Sequence, residues 1–185
     1  MIVLAPLVMG FSNLNQLQVA KILELYLSFI GMILLVPIFI PDMNHDIRDL
    51  IRSKREAMPV IHLLRTIEAV AVIVIIGVSF LLLLKKENCI FSFGNMLYTL
   101  LANGFFLGGL GMLMFSLSDQ VVFAYMIPLI YYVVNYGGLG KRLNMFYLFS
   151  MQMNQITPKL YLMVSGILFI IGSIVIVKLK TIRKH

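Results

Sequence analysis

The chain has no tryptophan, one cysteine and very little charge: only 12% of its 185 residues are Asp, Glu, Lys or Arg. Soluble domains carry about 25% charged residues, so a folded monomer of this composition would lack the polar surface to face water. A soluble globular enzyme is therefore excluded. A disordered tail is excluded too, since disorder needs low hydrophobicity and high charge. Cys89, being alone, forms no disulfide within the chain. The sequence has no G-x-x-x-x-G-K-[ST] loop; Gly137-Gly-Leu-Gly-Lys-Arg142 lacks that spacing, so the chain carries no such cradle for ATP phosphates. It also has no H-E-x-x-H pattern and no paired glutamates of the kind an intramembrane protease would use.

What is abundant is apolar: 61% of residues are hydrophobic and mean hydropathy is +0.97. Lipid is the solvent for most of such a chain. The formal charge of +7, from 15 Lys+Arg against 8 Asp+Glu, is distributed between apolar runs and not gathered with aromatics on one patch. That pattern orients a protein in a bilayer and excludes nucleic acid as a partner.

Five apolar runs have about the length a helix needs to cross hydrocarbon: residues 20–40, 60–84, 95–117, 120–139 and 160–177. The opening run, residues 1–12, lacks a basic segment before it and is shorter, which predicts a short first span and not a cleaved leader. Within lipid every backbone polar group must be satisfied internally, so the spans are helices. A membrane β-barrel would show alternating segments of about ten residues, and these runs do not alternate. The expected fold is all-α: one polytopic transmembrane bundle over residues 1–185, with five full spans plus the short first one.

Loop charge sets the orientation. Arg48, Arg52, Lys54, Arg55 and Arg65 lie on the side of the tail 178–185, with Lys178, Lys180, Arg183 and Lys184. Fewer basic residues, Lys21, Lys85, Lys86, Lys141, Arg142 and Lys159, fall on the other side. The positive-inside rule places the 41–65 loop and the C-terminus in the cytoplasm. On the outside, the apolar segment 140–159, with Met145, Phe146, Tyr147, Leu148 and Phe149, is expected to lie in the interface or dip back into the membrane.

Residues 42–58 read as a cytoplasmic amphipathic helix between Pro41 and Pro59. Ile47, Leu50, Ile51 and Met58 share one face. Asp42, Asp46 and Asp49 form an acidic stripe, and Arg48, Arg52 and Arg55 a basic one. Acids crowd the first turns and bases the last, as the helix dipole favours. Such a helix either rests on anionic headgroups or docks into a soluble partner. A metal site at Asp42, His45, Asp46 and Asp49 is outweighed by a charged helix face, so no metal is expected.

Ionisable groups at membrane depth are functional candidates. Lys21 with Glu24, and Arg65 with Glu68, are each three residues apart on a helix face and within pairing reach. Gly104, Gly108 and Gly111 offer a small-residue surface for close helix packing. Pro37 and Pro128 are expected to kink their spans. Tyr131, Tyr132, Asn135 and Tyr136 cluster on one helix, as candidate lining of a substrate path or as interfacial anchors. Cys89 falls near the outer surface while His45, His62 and His185 fall near the inner one. A Cys–His nucleophile pair is therefore not expected to assemble, and no catalytic residue is assigned.

The run Leu35-Val-Pro-Ile-Phe-Ile-Pro41 leading into Ile47-Arg-Asp-Leu-Ile-Arg-Ser-Lys54, then Leu64-Arg65, resembles the membrane subunit of bacterial ABC type-2 permeases. Gly108-Gly-Leu-Gly-Met-Leu-Met-Phe-Ser-Leu-Ser118 and Phe146-Tyr-Leu-Phe-Ser-Met151 carry the resemblance further. It implies six spans, a cytoplasmic coupling helix between the second and third, and a re-entrant element between the fifth and sixth. In that reading Ile47, Arg48, Leu50, Ile51, Arg52 and Arg55 contact a separate cytoplasmic ATPase, which holds the ATP and magnesium. This chain would carry no cofactor and would meet a second permease subunit in the bacterial cytoplasmic membrane. The implied function is an exporter subunit for a peptide, lipid or drug-like substrate. A non-transporting membrane scaffold or immunity protein, and an ion-coupled secondary carrier, are the alternatives. The departure from the family is the N-terminus, where a full first helix is not evident.

Overall fold

A computed structural model describes residues 14–43, 58–138, 140 and 145–183. All regular structure among them is helical. The first span among the described residues, Gln16–Ile40 and called the first span from here on, is not uniform. An α-helical start, α1 (Gln16–Ile22), passes into a π-turn (Leu23–Leu27), then α2 (Phe29–Leu35) and a 3-10 stretch (Val36–Met43) containing Pro37. Three longer helices follow: α3 (Met58–Lys86), α4 (Phe93–Ser118) and, after the shorter α5 (Val121–Tyr136), α6 (Thr157–Arg183). The short run 1–12 and most of the amphipathic segment, 44–57, lie outside the described residues.

Among the described residues, four helices are long and apolar enough to cross a membrane: Gln16–Ile40, Ile61–Lys86, Phe93–Ser118 and Thr157–Lys180. α5, where a full span is expected over 120–139, is a shorter apolar helix of 16 residues. At 1.5 Å per residue that is about 24 Å, short of a hydrocarbon core of about 30 Å. The helix stops at Gly137 and Gly138, the latter in the left-handed region at φ 86°, where glycine is free of the Cβ penalty. The sixth run also differs from expectation. It becomes helical at Thr157, so the end of the 140–159 segment belongs to α6. Pro158 sits in the first turn, where its missing N–H is tolerated.

Two contacts define the ends of the bundle. Lys180 Nζ pairs with Asp119 Oδ2 at 2.9 Å and donates to the Leu117 carbonyl, so the end of α6 and the α4–α5 turn lie together. Asp119 makes that turn in the left-handed region at φ 55°, a conformation aspartate tolerates. At the opposite end the Ile90 N–H donates to the Leu14 carbonyl at 3.2 Å. These are called below the Asp119 end and the Thr157 end.

α4 is the hub: 72% of its span window is buried, against 28% for α3 and 22% for α6. The outward faces of α3 and α6 carry Ile75, Leu64, Leu168 and Leu179, all exposed, as a lipid-facing surface requires. Glycines set the closeness of the inner contacts. A Cβ on Gly31 would overlap the Gly104 carbonyl, and one on Gly108 would lie 2.6 Å from the Gly31 oxygen. On the other face of α4, a Cβ on Gly109 would lie 2.6 Å from the Gly166 oxygen. Gly104 and Gly108 thus pack within the chain, against the first span. Gly111 is crowded in the same way by Val36 and the Ala124 carbonyl. Stacked rings of Phe39 and Phe115, 4.9 Å apart, close the core toward the Asp119 end.

Candidate functional site

The sequence places a polar side chain, Asn103, immediately before the glycine-rich run Gly104–Gly111 of α4, and the structure buries it completely. Asn103 is ten residues beyond Phe93, about 15 Å along the helix axis. Its amide accounts for three bonds. Nδ2 donates to Ser28 Oγ at 2.9 Å and to the Leu148 carbonyl at 3.2 Å, while Oδ1 accepts from Lys159 Nζ at 2.9 Å.

Lys159 is the decisive neighbour. Its ammonium meets Glu24 Oε1 at 2.7 Å, and both side chains are fully buried. It also donates to the Leu148 carbonyl. Lys159 stands in the first turn of α6, where the helix dipole disfavours a cation, and burial disfavours it again. The Glu24 carboxylate and two further oxygen acceptors offset both costs. Glu24 comes from the π-turn of the first span, and single π-turns are rare and concentrate at functional sites. Ser28 closes that turn by donating Oγ–H to the Glu24 carbonyl at 2.7 Å.

The pair does not simply face itself; it holds the chain between α5 and α6. Glu24 Oε1 accepts the Met151 N–H at 2.9 Å, and the Leu148 N–H donates to Asn135 Oδ1 at 3.2 Å. Leu148, Phe149, Ser150 and Met151 are buried as a result. This stretch, which ends in a 3-10 turn (Ser150–Met153), lies at the depth of Asn103. It is recessed well below the start of α4. α5 is short because its chain stops at that depth. Two buried oxygens in the cluster, Glu24 Oε2 and Ser150 Oγ, have no protein hydrogen-bond partner among the described residues.

The tyrosines of α5 serve the same assembly. Tyr132 donates to the Leu25 carbonyl in the π-turn at 2.8 Å, and its ring lies 4.3 Å from that of Phe29. Tyr131 donates to the Phe146 carbonyl at 2.6 Å. Asn135 is buried and donates to the Tyr131 carbonyl, while Tyr136 is exposed. Three of the four residues expected to line a path are therefore engaged in internal bonds.

Two expected pairings are corrected. Glu24 turns to Lys159, and Lys21, exposed on α1, does not reach it. Arg65 extends across to the Ile38 carbonyl at 3.2 Å, binding α3 to the 3-10 stretch, while Glu68 is exposed. The physical reason is the same in both: a side chain at the bundle interior finds a partner on a neighbouring element, and its helical neighbour stays at the surface. Lys159, counted with the loop charges, is likewise buried. Its removal from that count widens the difference in loop charge between the two sides. The coupling residues Ile47, Arg48, Leu50, Ile51, Arg52 and Arg55 lie outside the described residues.

Cys89 lies beside the Thr157 end and His62 packs on Phe39 toward the other. Among the described residues no three His, Cys, Asp or Glu side chains come together. Lys159, Asn103 and the partnerless oxygens were not singled out from sequence; an amide inside an apolar run and a lysine just after Thr157-Pro158 were the available signals. Compared with known proteins, the chain matches no family profile, no curated sequence and no solved structure.

Proposed function

We propose that this chain is the membrane-spanning permease subunit of an ABC exporter in the bacterial cytoplasmic membrane. It moves a peptide, lipid or drug-like substrate with energy from ATP and magnesium held by a separate ATPase. The observation that carries the reading is the recessed connection between α5 and α6, clamped by Glu24, Lys159 and Asn103. A re-entrant element at this place in the chain order is what the type-2 permease resemblance implies.

Packing supports a second permease subunit. The glycine contacts of α4 with the first span and α6 draw these helices close together within the chain, which favours a substrate route between two subunits over one through a single bundle. The largely exposed α3 and α6 are the surfaces available to form it. The basic and apolar faces of residues 42–58 supply the contact to the ATPase, through Ile47, Arg48, Leu50, Ile51, Arg52 and Arg55. Charge reversal of Arg48 and Arg52 together tests this. The variant is expected to insert in the membrane and lose the co-purifying ATPase; retention of an unchanged amount of ATPase would overturn the reading.

A further inference from the structure

We propose that residues 148–151 are a releasable plug, locked in place at the Thr157 end by the Glu24–Lys159 ion pair. This conformational device stands independently of the export reading. Both charges bind backbone groups of the same short stretch: Lys159 holds the Leu148 carbonyl and Glu24 holds the Met151 N–H. The charges arrive from different helices, the first span and α6, and Asn103 of α4 accepts from Lys159 and donates to Ser28 of the first span. The stretch is therefore fastened where three helices converge, and separation of the pair loosens both of its ends together, leaving Leu148 held by Asn103 and Asn135 alone.

The lock also has an internal weakness. Glu24 Oε2 and Ser150 Oγ are buried with no protein partner among the described residues, and a buried polar group left unpaired by protein is costly. Opening satisfies both oxygens with water. The stretch lies between two left-handed turns: Asn154, just after the 3-10 turn, at φ 57°, and Gly138, at the end of α5, at φ 86°. Lifting the stretch uncovers Ser28, Glu24, Asn103 and Lys159, a polar set that the closed form hides completely.

The test is labelling of Ser150→Cys by a polar thiol reagent, in a Cys89→Ser background, on the full chain purified in detergent. The side chain at 150 is fully buried, so the closed protein is expected to label slowly. Glu24→Gln and Lys159→Met should each raise the labelling rate at least tenfold, and the exchanged pair Glu24→Lys with Lys159→Glu should restore protection in part. Unchanged protection in properly assembled single variants would overturn the proposal. Should the variants aggregate, hydrogen exchange of the unaltered protein decides. The Leu148 and Met151 amides are expected to exchange at one shared rate, and well-separated rates would show that no common plug exists.

Discussion

Glu24 and Lys159, from opposite ends of the chain, meet at 2.7 Å with neither side chain exposed to solvent. In a bilayer protein such a pair organises whatever its remaining hydrogen bonds touch, and here they touch the backbone of Leu148 and Met151. The architecture near the Thr157 end follows: α5 is cut short, the connection is recessed, and α6 starts inside the bundle.

Removing one partner leaves an uncompensated buried charge, which costs about 3–5 kcal/mol. Glu24→Gln and Lys159→Met are each expected to destabilise the protein by that order. The double variant, with both charges gone, should lose less than the sum of the two. Denaturant or thermal unfolding in detergent measures the three, and additive losses would show that the side chains do not act as a pair.

Helix approach makes a separate prediction. Gly31→Ala places a methyl group against the Gly104 carbonyl, a backbone atom that cannot step aside, and overpacking of this kind costs about 1–3 kcal/mol. Gly108→Leu should be worse and should disrupt assembly. Gly94→Ala, with open space around it, should change stability by less than about 0.5 kcal/mol. Size-exclusion profiles and unfolding curves distinguish these outcomes.

Tyr132→Phe removes the donor to the Leu25 carbonyl while keeping the ring on Phe29. A loss of about 0.5–1.5 kcal/mol is expected. Tyr136→Phe, at an exposed position, should have no measurable effect. Equal losses at the two positions would contradict the assigned roles.

Orientation rests on loop charge, and a cysteine at Ser53 checks it in a Cys89→Ser background. In intact cells the Ser53→Cys residue is expected to be shielded from an impermeant thiol reagent. Ready labelling would invert the bundle.

Much of the helical frame was legible because spans in lipid must be long, apolar and internally hydrogen-bonded. The runs at 60–84 and 95–117 lie within α3 and α4. The site was less legible. Periodicity reports neighbours on one helix, so it paired Glu24 with Lys21. The true partner is far along the sequence and is set by how α6 packs on α4 through Gly109 and Gly166. The early stop of α5 was written in Gly137 and Gly138, but apolar composition continues to Leu139 and masks it. Thr157-Pro158 marked the start of α6 ahead of the apolar run that begins at Leu160.

The most direct measurement is recovery of the chain from native membranes in mild detergent, followed by identification and ATP-hydrolysis assay of whatever accompanies it. The account predicts a soluble ATP-binding-cassette subunit in stoichiometric amount, lost when Arg48 and Arg52 are reversed. A chain that purifies intact and active in its cellular role with no nucleotide-hydrolysing partner would contradict it.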